Sequence, residues 1–294
     1  MHYISAEISL VAILPALLLC WYVYEKDRVE KEPIGLLSLL FLVGGIGFVP
    51  AFFAERGMMT LIDTWFEASF AFSSEGIAQF DNIGAQLGHA ALYAFLGVAL
   101  IENVIKWLLL VLITRKSRHF NCLFDGVVYA CFVSLGFAAF ENVAYAWLNG
   151  WDTLWLRLVT SLPCHLLIGV LTGCFYTLWH TVETAQKTEK ALVADGKLPD
   201  ARVRGAGRLA AASFAVPALT QGLYVLSGTF HSAVIDTLFY VAVGILFALC
   251  FVCIHHLSDK DRPTEKASFV LILRKHPDAD AALLHGEKEV RDGE

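Results

Sequence analysis

Long apolar runs, almost free of charge, alternate along this chain with short polar stretches. About 20 apolar residues suffice to cross a bilayer as a helix. Seven runs reach that length, at roughly 5–24, 34–53, 89–113, 122–148, 154–180, 209–229 and 231–257. They predict an all-α fold, a polytopic membrane bundle of about seven transmembrane helices. The first run, Ile8 to Tyr24, has the length of a signal peptide's apolar region. It has no basic region before it, where His2 and Glu7 are the acid–base side chains near neutral pH, and it ends at Trp21-Tyr22-Val23-Tyr24, an aromatic belt, so it reads as a retained span. Residues 60–80 mix aromatic side chains with Asp63, Glu67 and Glu75, which predicts an interfacial or loop-packed segment.

The polar stretches carry an orientation. With the N-terminus outside, the inner regions are 25–33, 114–121, 181–208 and the C-terminal tail, and they hold nineteen of the 22 Lys and Arg residues. The external loops hold Arg56, while Lys106 and Arg157 fall inside spans. Basic residues collect on the cytoplasmic side of membrane proteins, so the expected topology is N-out, C-in. Residues 1–258 form the bundle in this reading and 259–294 a mobile cytoplasmic tail. Within the tail, Ala267 to Leu273 is apolar enough for a short strand or interfacial segment.

Composition agrees. Hydrophobic residues make up 57% of the 294, charged residues 17%, and mean hydropathy is +0.59. A soluble domain carries about a quarter charged residues. The lipid bilayer of the cell membrane is therefore the first partner, and no nucleic-acid partner is expected. All seven cysteines lie within or at the edge of apolar runs, which suits packing rather than a disulfide framework. Cys250-x-x-Cys253 followed by His255-His256 has a faint metal-site spacing.

Against this background the charges inside the spans stand out. Glu102, Lys106, Glu141 and His165 each cost several kcal/mol to bury in lipid unpaired, and such groups usually face a bundle interior and mark function. Glu102 and Lys106 are four residues apart and so share a helix face. Asn103, on a neighbouring face, can bond across helices. Phe137, Glu141 and Tyr145 share a second face, with Gly136 allowing close approach. His165 follows Pro163, which removes a helical hydrogen bond, and Gly169 and Gly173 continue its face as a small-residue stripe. Pro217 similarly precedes Gln221. At about 1.5 Å per residue, Glu141, Gln221, His165 and Glu102 lie about 10, 12, 16 and 20 Å below the outer boundary. Four different spans thus place polar groups in the outer half, which predicts a polar cavity open to the external side.

Two carboxylates and an imidazole are suited to proton transfer and can activate water against a peptide carbonyl. An Asn or His side chain can stabilise the oxyanion. The same groups can serve as a structural ion pair, as a divalent-metal set, or as a proton or solute pathway. No His-Glu-x-x-His run is present, so the metal is the lesser alternative and no cofactor is expected.

Several ordered motifs resemble the PrsW family of intramembrane proteases over about residues 20–230. Asp27-Arg28-x-x-Lys31-Glu32-Pro33 is similar to the family's loop after the first helix. Glu102-Asn103-x-x-Lys106 is similar to its Glu-Glu-x-x-Lys motif. Asp125-Gly126 through Gly136-Phe137-x-x-x-Glu141-Asn142-x-x-Tyr145 follows, and then Arg157 through Ser161-x-Pro163-x-His165 with Gly169 and Gly173. The resemblance implies proteolysis of a single-span membrane protein, typically an anti-sigma factor cut on its external side. It implies Glu102 and His165 as catalytic residues and Glu141 as support, with Glu102 activating water and His165 binding the oxyanion or shuttling protons. Asn103, Lys106, Asn142, Tyr145 and Gln221 would support the site. Two positions depart: Asn103 stands where the family has a second Glu, and Gln221-Gly222-Leu223-Tyr224-Val225 where it has His-Gly-x-Tyr-Asp. Asn and Gln bond but do not exchange protons near neutral pH. An inactive relative that binds membrane segments is thus an alternative, as is a small proton-coupled transporter.

Overall fold

The computed structural model describes residues 5–69, 83–229 and 233–279. The helices are α1 (Ser5–Lys26), α2 (Ile34–Ser69), α3 (Ile83–Leu92), α4 (Ile101–Thr114), α5 (Asp125–Asn149), α6 (Trp151–Val159), α7 (Ser161–Ala194), α8 (Ala206–Ser227), α9 (Ala233–Asp259) and α10 (Thr264–Lys275). A π-helical segment, Tyr93–Leu100, joins α3 to α4 without a break. Seven helical stretches are long and apolar enough to cross a membrane: Ala6–Lys26, Ile34–Glu67, Ile83–Thr114, Asp125–Asn149, Trp151–Ala194, Ala206–Ser227 and Val234–Asp259. The all-α, seven-span architecture expected from the apolar runs is therefore present.

The central helix is α5, which packs against α1, α2, α4, α6 and α7. Lipid is as apolar as a leucine side chain, so close approach of backbones does much of the work of holding such helices together. Two glycine contacts show this. A Cβ on Gly136 of α5 would collide with the Phe41 carbonyl of α2, and one on Gly173 of α7 would collide with the backbone of Val127 on α5. The stripe Gly169–Gly173 thus does bring a helix against the histidine-bearing one.

Three boundaries differ from the sequence reading. Helix α2 does not stop near residue 53; it runs through Pro50 to Ser69, so 60–69 extend a span rather than lying as a separate interfacial segment. Residues 70–80 of that expected segment lie outside the described residues. The run 154–180 is divided into α6 and α7 at Thr160, whose φ of −120° and ψ of −62° leave the helical region. Pro163 lacks the N–H that a continuous helix would direct at Thr160's predecessor, so the ladder fails there. Finally, Ala267–Leu273 is not a strand: it belongs to α10, which buries Ala267, Ser268 and Ile272 against the far end of α7. Residues 280–294 of the expected mobile tail lie outside the described residues.

The basic loops gather at one end. There Arg28 pairs with Asp259 at 2.8 Å, and Asn121 donates to Glu30 at 2.9 Å. The Phe124 N–H donates to Asp261 at 2.9 Å, and Ser258 bonds the Lys26 carbonyl. The first loop, the loop before α5 and the segment after α9 are thereby tied together.

Candidate active site

Four helices meet around the intramembrane charges. The π-helical segment that opens α4 is lined by small residues, Ala94, Gly97 and Ala99, all buried. It carries Phe95 over Gly222 of α8, where a Cβ would collide with the ring. The extra residue in a π turn re-aims the side chains that follow it. Those are Glu102, Asn103 and Lys106, all buried within α4.

Glu102, Lys106, His165, Glu141 and Arg157 form one unbroken line of contacts. The Lys106 ammonium donates to Glu102 Oε2 at 2.6 Å and lies 3.2 Å from His165 Nδ1. His165 Nε2 is 3.1 Å from Glu141 Oε2, and the Arg157 guanidinium is 2.6 Å from that same oxygen. Lys106 has protons to give and no lone pair to offer, so Nδ1 must accept. The imidazole is therefore the neutral Nε2–H tautomer, and Nε2 donates to Glu141. Two carboxylates and two cations balance along the line, which lets all of them be buried: Glu102 is 2% exposed, His165 4% and Glu141 7%. An intramembrane charge persists when it is paired in this way.

Neighbouring side chains hold the line in place. Arg157 Nε donates to Asn142 Oδ1 at 2.8 Å, its NH2 group to Ser161 Oγ at 3.0 Å, and its guanidinium lies 4.1 Å from the centre of the Tyr145 ring. Ser134 donates to the His165 carbonyl at 2.6 Å. Phe137 stacks on the His165 ring at 5.9 Å and carries Lys106 4.2 Å from its centre. Asn103 and Gln221, the two departures from the family pattern, bond each other: Asn103 Nδ2 donates to Gln221 Oε1 at 2.7 Å and to the Ala99 carbonyl at 2.8 Å. They make a neutral link from α4 to α8, beside the charged line and not in it.

The structure thus joins Glu102, Lys106, His165 and Glu141 directly, adds Asn142 and Tyr145 through Arg157, and sets Asn103 with Gln221. Sequence reasoning missed Arg157 as a site residue. The signal was available, because an arginine inside an apolar run needs a counter-ion. It also missed Glu55, which fell beyond the assumed end of the second span. Glu55 is buried and feels the charges of Glu102, Glu141, Lys106 and Arg157.

The donor set does not fit a metal ion. The Oε2 atoms of Glu102 and Glu141 are held by Lys106 and Arg157, and both ring nitrogens of His165 are engaged. A divalent ion there would sit among two fixed cations. Among the described residues no three His, Cys, Asp or Glu groups are arranged to hold one. Cys250 and Cys253 do not converge either: Cys250 is buried in the core, Cys253 is exposed, and His255 contacts Lys26 and Asp259.

Comparison with known proteins bears on what this arrangement is. Protease PrsW of Oceanobacillus iheyensis is 29% identical over 236 residues, covering 80% of this chain and 89% of that protein. Protease PrsW of Bacillus subtilis is 29% identical over 164 residues, covering 56% of this chain and 64% of that protein. For Protease PrsW of Geobacillus kaustophilus the identity is also 29%, with 56% and 63% covered. No solved structure matches. The family model described as PrsW family intramembrane metalloprotease matches residues 32–254, from the loop before α2 into α9 and across every member of the charged line; the chain belongs to the PrsW family, as a multi-pass membrane protein.

Proposed function

We propose that this protein is an intramembrane peptidase of the glutamic type that cuts a single-span, membrane-anchored protein of the anti-sigma-factor kind near the external face of the cell membrane. The observation that carries the proposal is the buried line Glu102–Lys106–His165–Glu141–Arg157. Peptide hydrolysis needs a base for water, positive charge for the oxyanion and a proton for the leaving amine. Glu102 takes a proton from water as the water oxygen bonds to the carbonyl carbon. The Lys106 ammonium, 2.6 Å from Glu102, faces the negative charge that then develops on the carbonyl oxygen. As the C–N bond breaks, Glu102 returns the same proton to the amine nitrogen. His165, backed by Glu141 and Arg157, fixes Lys106 through its Nδ1 lone pair. The family's description includes a metal; the donor set in this chain does not fit one, and no step runs through it.

A second reading has its own observation. Asn103 donates to Gln221 at 2.7 Å, and a neutral pair of this kind suits a relative that binds membrane segments without cutting them. The test is cleavage of a panel of tagged single-span proteins, anti-sigma-like ones included, in reconstituted vesicles. The expected result is cleavage by the native chain and none by Glu102→Ala or His165→Ala. If the native chain cuts nothing and Asn103→Glu with Gln221→His restores cutting, the chain is a disabled protease; continued silence removes the peptidase reading.

A further inference from the structure

Glu55 is the ionisable group that the line of ion pairs leaves over. It is 9% exposed. The chain neighbour Arg56 does not reach back to it, since its guanidinium lies 4.9 Å from the centre of the Phe52 ring. Glu55 forms no hydrogen bond or ion pair with any described residue. Its four charged influences from other helices are two anions, Glu102 and Glu141, and two cations, Lys106 and Arg157. These are already matched against each other at 2.6 Å. These pairs leave no cation for Glu55, whose carboxyl is buried without a counter-ion among the described residues. A buried carboxylate in that position is costly until a cation reaches it.

Glu55 also has a space in front of it. It lines a cavity of about 680 Å³ together with Phe48, Phe52, Arg56, Asp63, Tyr93 and Tyr145. Four of those side chains are aromatic rings, whose faces attract cations; Phe52 and Tyr145 already carry Arg56 and Arg157, which leaves Tyr93 beside Glu55 for a guest. Asp63 adds a second carboxylate, bonded to His89 at 2.8 Å. The cavity's inner wall is shared with the charged line: Tyr145 carries Arg157, and Phe48 meets at 5.8 Å the Phe137 ring that carries Lys106. Helix α2 rises about 1.5 Å per residue, which puts Glu55 about 30 Å from Ile34, one bilayer thickness from the loop at the basic end. The cavity therefore opens at the opposite membrane face, where a substrate's residues just beyond its span would lie.

We propose that this cavity is a subsite for a lysine or arginine side chain of the substrate, placed just outside its transmembrane segment, with Glu55 as the residue that selects it. The inference rests on the peptidase reading for its name as a substrate subsite, and it deepens that reading by giving the substrate a charge. The guest cation pairs with Glu55 and lies against Tyr93. The scissile bond is then held toward Glu102 and Lys106 behind the aromatic wall.

The test uses the full chain in lipid nanodiscs and synthetic single-span peptides. Arginine, alanine or aspartate is placed in turn at each of the first six residues beyond the span. Binding is read by fluorescence anisotropy and cleavage by kcat/KM. At one position arginine should exceed alanine by about tenfold in affinity, the size of one charge-assisted contact. Glu55→Gln, an isostere, should erase that preference, and Glu55→Arg should transfer it to the aspartate peptide. Charge reversal with rescue is a readout that a structural role for Glu55 would not give. Equal affinity for arginine and alanine peptides in the native chain overturns the subsite, and so does a preference that survives in Glu55→Gln. Selective binding without any cleavage would sink the peptidase reading and leave the subsite standing. Cleavage without selectivity would do the reverse.

Discussion

Arginine 157 shows most clearly what one residue does here. It touches Glu141, Asn142, Ser161 and Tyr145, and it is the cation that permits Glu141 to be buried. Removing one member of a buried ion pair leaves a stranded charge, at a cost of about 3–5 kcal/mol. Arg157→Ala should therefore lower the thermal midpoint in detergent by many degrees, whereas Arg157→Lys should lower it less and still lose the fork to Asn142. Differential scanning fluorimetry of the two variants checks this, and equal stability of native chain and Arg157→Ala would refute the pairing. The Asn103–Gln221 bond makes a quieter prediction. Hydrogen bonds between helices in membranes couple by about 0.6 kcal/mol on average. A double-mutant cycle of Asn103→Ala and Gln221→Ala should return a coupling of about that size, and additivity would mean that the bond does not form. The sequence made Lys106 legible, because its partner Glu102 is one helical turn away. It hid Arg157, because Glu141 lies on a different helix and only the fold brings them together.

Elements carry these residues, and two of their irregularities aim the site. The π-helical segment Tyr93–Leu100 precedes Glu102 directly. Inserting one alanine between Leu100 and Ile101, just past the segment, should rotate everything beyond it by about 100°, one residue's turn. Glu102 and Lys106 would then leave His165. The expected outcome is a protein with unchanged helix content by circular dichroism and no cleavage of any substrate that the native chain cuts; retained cleavage would show that the register set by the π segment does not aim the site. The break at Thr160 has the same logic, since it separates Arg157 on α6 from His165 on α7 and lets both reach Glu141. The π segment was not legible, whereas Pro163 did announce a lost helical hydrogen bond beside Thr160. A span is read from a run of apolar residues, and such a run looks the same whether its helix is α or π. The seven spans were legible for that reason, and the close contacts at Gly136, Gly169 and Gly173 followed from the absence of side chains. The extension of α2 past residue 53 was not, because Glu55, Arg56 and Asp63 look like a loop when counted by hydropathy, although they are compatible with helix.

At the scale of the molecule, the end carrying the basic loops holds a group of buried acids that the site does not use. Asp27 is fully buried and its Oδ2 accepts the Glu32 N–H at 3.1 Å; its Oδ1 is left without a partner, as are one oxygen each of Glu32, Asp125 and Asp261. Burial pushes the Asp27 carboxyl up to about 6, against the opposing pull of the Glu32 N–H, and repulsion from Asp261 and Glu30 adds to the rise while Lys31 opposes it. Burial likewise pushes Glu32 up to about 7, and raises Asp261. A carboxyl whose folded value lies above its unfolded one binds its proton more tightly in the folded state. Stability from that proton is complete below the unfolded value, near 4, and is lost as pH rises through about 6 to 7. These acids sit where the first loop meets the loop before α5 and the segment after α9, so charging them loosens the join between the two ends of the chain. The unfolding midpoint should therefore fall between pH 5.5 and 8, a window above the titration of ordinary carboxylates. Asp27→Asn keeps an acceptor for the Glu32 N–H but removes one charge. It should flatten the fall and stabilise the protein at pH 8 by about 1–3 kcal/mol, since the carboxyl rises from near 4 to about 6 and each pH unit is about 1.4 kcal/mol. Midpoints for the native chain and Asp27→Asn, taken at four pH values in one detergent, decide the matter. Parallel curves would mean that the acids are solvated in the folded protein and that the join is indifferent to their charge.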